Sequence, residues 1–188
     1  IVGRIRGGTA IVNILVSMLF GGISGSSAAD VSSIGAMLIP AMIDEGYDVD
    51  YSVAVTVTSS VEGVIIPPSQ NMLFYALASA SGISISTLLI CGYVPGILLT
   101  LGLMIPAYAI AMQKKYPLGE KHSLKENVKI VTEAVLGLGA IVIVIAGTSF
   151  GVCSATEAAA VAAVYALVIT VVAYRNMTVK KYVEGLKK

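Results

Sequence analysis

Apolar residues run without charge over four stretches, 7–29, 64–113, 134–156 and 158–174, none of which holds an Asp, Glu, Lys or Arg. A helix needs about 20 such residues to cross a bilayer, so the second stretch holds more than one segment. Two polar, backbone-breaking runs interrupt this pattern: Gly21-Gly22-Ile23-Ser24-Gly25-Ser26-Ser27 and Gly63-Val64-Ile65-Ile66-Pro67-Pro68-Ser69. Lipid offers no partner to a freed amide or carbonyl, so a helix broken at that depth sits inside protein or lines a solute cavity. Discontinuous helices of this kind build transporter sites.

The pattern predicts a helix over Thr9 to Phe20, a break, and a continuation through Ala28 to Met42. A polar turn at Asp44-Glu45-Gly46-Tyr47-Asp48-Val49-Asp50 follows, its acids expected in solvent. The next helix runs from Tyr51 to Ile66, is stopped by Pro67-Pro68, which lack backbone donors, and resumes over Asn71 to Ser81. Gly82 to Ser86 is a turn, and Thr87 to Met112 is a full span that Pro95 and Pro106 should kink. Basic residues flank the last part on both sides, Lys114, Lys115, Lys121, Lys125 and Lys129 before it and Arg175, Lys180, Lys181, Lys187 and Lys188 after it. The positive-inside rule puts both flanks in the cytoplasm, so two crossings, Val131 to Phe150 and Glu157 to Tyr174, form a hairpin between them. Ser154 with Glu157 fits a capping box at the returning helix. The segments from Ser123 and Thr178 each start on a cap residue and lead into an amphipathic helix, suited to lie in the membrane interface against lipid.

Composition supports this reading. Hydrophobic residues make up 56% of the 188 and charged residues 12%, where a soluble domain has about a quarter charged. The fold class is an all-α polytopic membrane protein, with broken transmembrane helices, a scaffold helical hairpin and amphipathic interfacial helices. A net charge of +1 gives no ground for a nucleic-acid partner. Cys91 and Cys153 have no ligand-like spacing and are expected to be small core residues. The chain opens at Ile1 and is expected to be an excerpt of a longer protein.

Enzymatic chemistry finds little support. His122, the single histidine, lies in the basic loop, so neither a histidine triad nor a zinc site can form. Cation binding is better supported, because a break releases carbonyl oxygens and Ser24, Ser26, Ser27, Ser59, Ser60 and Ser69 add hydroxyls, all hard ligands without full charge. Sodium suits such a set. Freed helix N-termini beside the same breaks would present amides to a carboxylate. Tight helix packing is the other reading of each serine and glycine. Asp30 shares a helix face with Ser26 and Ser27, and Glu62 directly precedes Gly63. Carboxylates at that depth default to functional hypotheses.

With these residues laid out, the chain resembles the large membrane subunit of tripartite ATP-independent periplasmic (TRAP) transporters, the DctM-like family. The matching stretches are Ala10 to Leu15 leading into Ser17 to Ser26, then Asp30, Ile39-Pro40-Ala41-Met42 with Glu45-Gly46-Tyr47, Ile65 to Ser69, Pro95-Gly96, and Thr156 to Val161 with Tyr165-Ala166. The chain departs from the commoner family form at Val61-Glu62-Gly63-Val64. The resemblance implies an elevator-type permease of the bacterial inner membrane that uses a sodium gradient and no other cofactor. Its cargo would be an organic acid such as a C4-dicarboxylate or sialic acid, delivered by a DctP-like periplasmic binding protein. Its membrane partner would be a small DctQ-like subunit. On this basis residues 1–112 belong to the transport domain and 113–188 to a scaffold hairpin with cytoplasmic arms. Gly22, Ser24, Gly25, Ser59 and Gly63 are candidates for sodium, Ser26, Ser27, Asp30, Pro67, Pro68 and Ser69 for substrate, and Glu62 for coupling. A stand-alone carboxylate symporter and a structural subunit of a membrane complex are the alternatives.

Overall fold

The structure, a computed structural model, describes residues 5–79, 82–117, 138–148 and 152–172. The amphipathic arms, His122 and the lysines of the basic loop beyond Lys115 lie outside the described residues. Among the described residues there are helices and no strand.

Helix α1 (Gly8–Ser24) ends on Gly25, whose left-handed backbone (φ 60) lets its amide return to the Gly21 carbonyl at 2.9 Å. Ser26 is extended (φ −142), and α2 (Ser27–Asp44) starts directly after it. Gly21 and Gly22, expected to break the helix, stay helical inside α1. The break is confined to Gly25 and Ser26, and it reverses the chain. Gly21 lies beside Asp30, and the Asn13 amide reaches the Met42 sulfur at 3.5 Å, so α1 and α2 are antiparallel arms of a hairpin. The expected continuation of a single helix is therefore corrected, because a left-handed glycine followed by an extended residue turns the backbone back.

The second break is a true interruption. Helix α3 (Val49–Ser60) is followed by a single turn, α4 (Glu62–Ile65), a bent, non-helical run from Ile66 to Ser69, and α5 (Gln70–Ala78). The Ser69 hydroxyl accepts from the Met72 amide and caps α5. Helix α6 (Ile85–Gln113) passes back along this whole broken column. Tyr51 meets Ala107, Ile66 meets Gly96, and Met72 meets Gly92. Pro95 and Pro106 sit inside α6 without dividing it. The column from Val49 to Ala78 and the helix Ile85–Gln113 are both long and apolar enough to cross a membrane. With the family reported below, this establishes the all-α membrane class.

Helices α7 (Leu138–Thr148) and α8 (Ala155–Val172) form the expected hairpin. Gly139 faces Tyr165 and Gly147 faces Ala158. The capping box is present: the Ser154 amide and hydroxyl both donate to Glu157 Oε2 at 2.8 Å, and the Glu157 amide returns to Ser154 Oγ at 3.3 Å. Cys153 is half-buried at this turn, but Cys91 is exposed on α6, so the core assignment for Cys91 is corrected. The apolar stretch around it is exposed in this chain, with Ile90 and Val94 beside it, so hydrophobic sequence here does not mean burial.

At the end carrying Lys114, a core of Ala10, Ile14, Met42, Tyr47, Tyr51, Val55, Ala107, Ala111 and Tyr116 joins α1, α2, α3 and α6. The Tyr47 and Tyr116 rings lie 4.6 Å apart. The turn acids are not all free in solvent as expected. Asp48 pairs with Lys114 and accepts from the Tyr116 hydroxyl at 2.9 Å, and Glu45 accepts from Thr9. Hydrogen bonds from Lys114 and then Tyr116 hold the Asp48 carboxyl below the usual carboxylate range. A depressed folded value means that the pair's contribution is full above the ordinary carboxylate pKa of 3.8 and is lost as pH falls through the lowered value. Asp48→Asn should therefore lower the thermal midpoint only slightly at neutral pH, since the pair is exposed, and the variant and parent curves should converge in acid. A thermal melt series in a detergent-solubilised preparation reads this directly.

Candidate functional site

The site is built where the hairpin tip meets the second break. A polar stripe leads to it through apolar helices. On α1, Asn13, Ser17 and Gly21 recur every four residues and share one face. Facing them, the Asn13 amide donates to Thr56 at 2.7 Å, Ser17 and Ser59 share a hydrogen bond of 2.9 Å, and Gly21 meets Gly63. This contact is so close that a Cβ on Gly21 would stand 2.6 Å from the Gly63 Cα. Small residues are what allow helices to approach to this distance.

Asp30 is the brace of the tip. Its side chain is fully buried, its Oδ1 accepts from the Ser24 hydroxyl at 2.7 Å, and its Oδ2 lies 2.9 Å from where a Gly63 Cβ would be. The expected partners on its helix face, Ser26 and Ser27, are not the ones it takes. The reversal at Gly25 swings Ser24 of α1 into that place. Ser26 caps α2 by backbone position alone, with no side-chain cap bond, and its carbonyl accepts from the Asp30 amide at 3.1 Å. Ser27, the first residue of α2, is half-buried.

The two breaks interlock. A Cβ on Gly25 would stand 2.9 Å from both the Pro68 carbonyl and the Gln70 amide, and one on Gly22 would stand 3.1 Å from the Pro67 carbonyl. The bond between Pro67 and Pro68 is cis. Pro67 and Ser69 are buried and Pro68 half-buried, and the Ser69 hydroxyl also donates to the Val64 carbonyl. Behind this run, α6 offers Gly92, Gly96 and Thr100, again four residues apart. Gly92 accommodates the Ile65 carbonyl and Gly96 the Ile66 side chain.

The helix ends at this junction have opposite polarity. The N-termini of α2 and α5, positive ends of helix dipoles, start on either side of the interlocked tip and are suited to a carboxylate. The C-terminus of α1 and the carbonyls of Pro67 and Pro68 lie in the same place and are suited to a hard cation. Ser24, Gly25, Ser26, Asp30, Pro67, Pro68 and Ser69 are thus brought together, as the sequence suggested. Ser59 is not at the breaks: it is spent on Ser17 and on the Thr56 carbonyl within the α1–α3 stripe. Among the described residues no three His, Cys, Asp or Glu side chains form a metal-holding group, so any cation here relies on backbone and hydroxyl oxygens as well. Sequence reasoning took Gly21 as part of a helix break and did not single out Ser17 or Thr100 as members of a polar stripe. Their four-residue recurrence with Asn13 on α1, and with Gly92 and Gly96 on α6, was the available signal.

A hairpin tip locked into a discontinuous helix, with helix ends of opposite polarity at one junction, fits the architecture of a membrane permease. The chain belongs to the family of the tripartite ATP-independent periplasmic transporter DctM component, whose model matches residues 1–188. It is 41% identical over 176 residues to the C4-dicarboxylate TRAP transporter large permease protein DctM of Pseudomonas aeruginosa, covering 94% of this chain and 41% of that one. It is 37% identical over 188 residues to the sialic acid TRAP transporter large permease protein SiaM of Vibrio cholerae, covering all of this chain and 44% of that one. It is also 38% identical over 177 residues to the ectoine/5-hydroxyectoine TRAP transporter large permease protein UehC of Ruegeria pomeroyi, covering 94% and 41%. The chain spans about two-fifths of the length of these curated relatives. The family is one of transporter permeases and not of enzymes.

Proposed function

We propose that this chain is part of the permease subunit of a sodium-coupled secondary transporter that imports an organic acid across a bacterial inner membrane. The observation that carries the reading is the junction of the Gly25 tip with Pro67 to Ser69, where helix ends of both polarities meet within membrane-spanning sequence. Residues 1–112 act as the moving transport domain of an elevator and 113–188 as the scaffold, with its basic arms on the cytoplasmic side. A substrate carboxylate is held at Ser26, Ser27 and Ser69 by the N-termini of α2 and α5. Asp30 with Pro67 and Pro68 shapes that pocket. Sodium takes oxygens from Ser24 and from the backbone around Gly22, Gly25 and Gly63, while Ser59 contributes to the packing stripe behind them. The family's tripartite arrangement supports a small membrane subunit and a periplasmic binding protein as partners. The relatives named above support a carboxylate such as a C4-dicarboxylate or sialic acid as cargo.

The test is uptake by proteoliposomes that hold the full-length permease and its small subunit. Radiolabelled acids are offered with and without an inward sodium gradient and with and without the binding protein. Uptake that needs both is expected. Uptake that needs sodium alone would favour a stand-alone symporter, and none from folded protein across a broad panel would overturn the reading.

A further inference from the structure

Glu62 presents a problem of charge that the site described above does not solve. Its side chain is 0% exposed, and neither carboxyl oxygen has a hydrogen-bond partner. The polar groups that act on it are Thr100 on α6, which lies within hydrogen-bond reach, and Asp30, by charge. The Thr100 hydroxyl is engaged with the Gly96 carbonyl at 3.0 Å. Asp30 adds a third oxygen without a partner, its Oδ2, beside Gly63. From residue 7 to residue 113 there is no Lys, Arg or His, so no side chain of this segment can neutralise the pair.

Burial of an unpaired carboxylate is too costly to persist, so the group takes up either a proton or a counter-ion from outside the segment. Because Glu62 is completely enclosed, a side chain from elsewhere or an organic cation could reach it only by prising the helices apart. The compensating group is therefore small. A proton would satisfy one oxygen and would need an acceptor for its own hydrogen. A bare metal cation accepts several oxygens at once, including both of one carboxylate.

We propose that Glu62, with Oδ2 of Asp30, binds a small monovalent metal cation, sodium in the cell, as a coupling ion separate from the one at Ser24 and Gly25. The proposal rests on the transporter reading above. It makes Glu62 a determinant of how many ions accompany each substrate, a role that the hydroxyls and carbonyls of the tip cannot take over.

The test is equilibrium binding of radioactive sodium, at fixed pH, to the detergent-purified full-length permease with its small subunit. Glu62→Gln should bind one sodium ion fewer than the parent, and Glu62→Asp should keep the number with affinity at that site weakened by about tenfold. Unchanged number and affinity in Glu62→Gln would overturn the proposal, as would protons taken up in place of sodium by the parent. If Glu62→Gln does not yield folded complex, Glu62→Asp decides, unchanged affinity being the overturning result. Sodium-driven uptake by the parent is measured in parallel. Uptake that needs sodium while Glu62→Gln binds as many ions defeats this proposal and leaves the transporter reading standing. Loss of one ion in a parent whose uptake ignores sodium does the reverse.

Discussion

Gly21→Ala is expected to destabilise the protein by about 1–3 kcal/mol and to lower sodium-driven uptake by roughly tenfold or more. The new methyl would stand 2.6 Å from the Gly63 Cα and 2.9 Å from the Gly63 amide nitrogen, and both are backbone atoms that cannot turn aside. It would also lie 3.4 Å from Asp30 Oδ2, so any shift that relieves the clash moves the carboxyl that braces the hairpin tip. The control is Gly102→Ala on α6, where nothing lies within 4 Å of the added methyl. Alanine is the better helix former there, by roughly 0.5–1 kcal/mol. Thermal melts and uptake measured side by side should thus separate the two glycines in sign as well as size. Equal, small effects at both would mean that α1 and α3 are not in contact at Gly21 and Gly63.

Asp30 should split stability from transport. Asp30→Ala removes the acceptor of the Ser24 hydroxyl and leaves a buried hole at the tip, which should cost about 1.5–3 kcal/mol, the range for hydrogen bonds to charged groups. Asp30→Asn keeps an oxygen for Ser24 and nearly the same volume, so most of that stability should return. It also replaces the unpartnered Oδ2 by an amide, which removes the negative charge and places donors toward Gly63. Uptake should therefore stay at least tenfold below the parent in Asp30→Asn, even where the melting temperature is restored. Full uptake by Asp30→Asn would reduce Asp30 to a structural brace and would detach it from the ion chemistry.

Several features were legible from residue order. The charge-free stretches located the membrane segments, the paired prolines located the second break, and Ser154 with Glu157 located the start of α8. These are local properties, since helix length, missing backbone donors and a three-residue capping spacing depend on neighbours in sequence. The cluster of Ser24, Asp30, Pro67 and Ser69 was also anticipated, because both breaks stood out as polar runs in apolar sequence. The partners inside that cluster were not. Asp30 was expected to work with Ser26 and Ser27 of its own helix, and instead it takes Ser24 from across the turn. Ser59 was expected as a ligand, and in the structure its hydroxyl pairs with Ser17 between α1 and α3.

The sequence by itself determined that this chain is a helical membrane segment with two interruptions and with acids placed beside them. Hydrophobic run length and backbone chemistry require no knowledge of the rest of the molecule. Only the tertiary structure decided that the first interruption reverses the chain while the second lets it continue. That difference rests on the left-handed backbone of Gly25 and on the close seat it finds between the Pro68 carbonyl and the Gln70 amide. A glycine can take either path at little cost, so its direction is chosen by the helices it has to pack against.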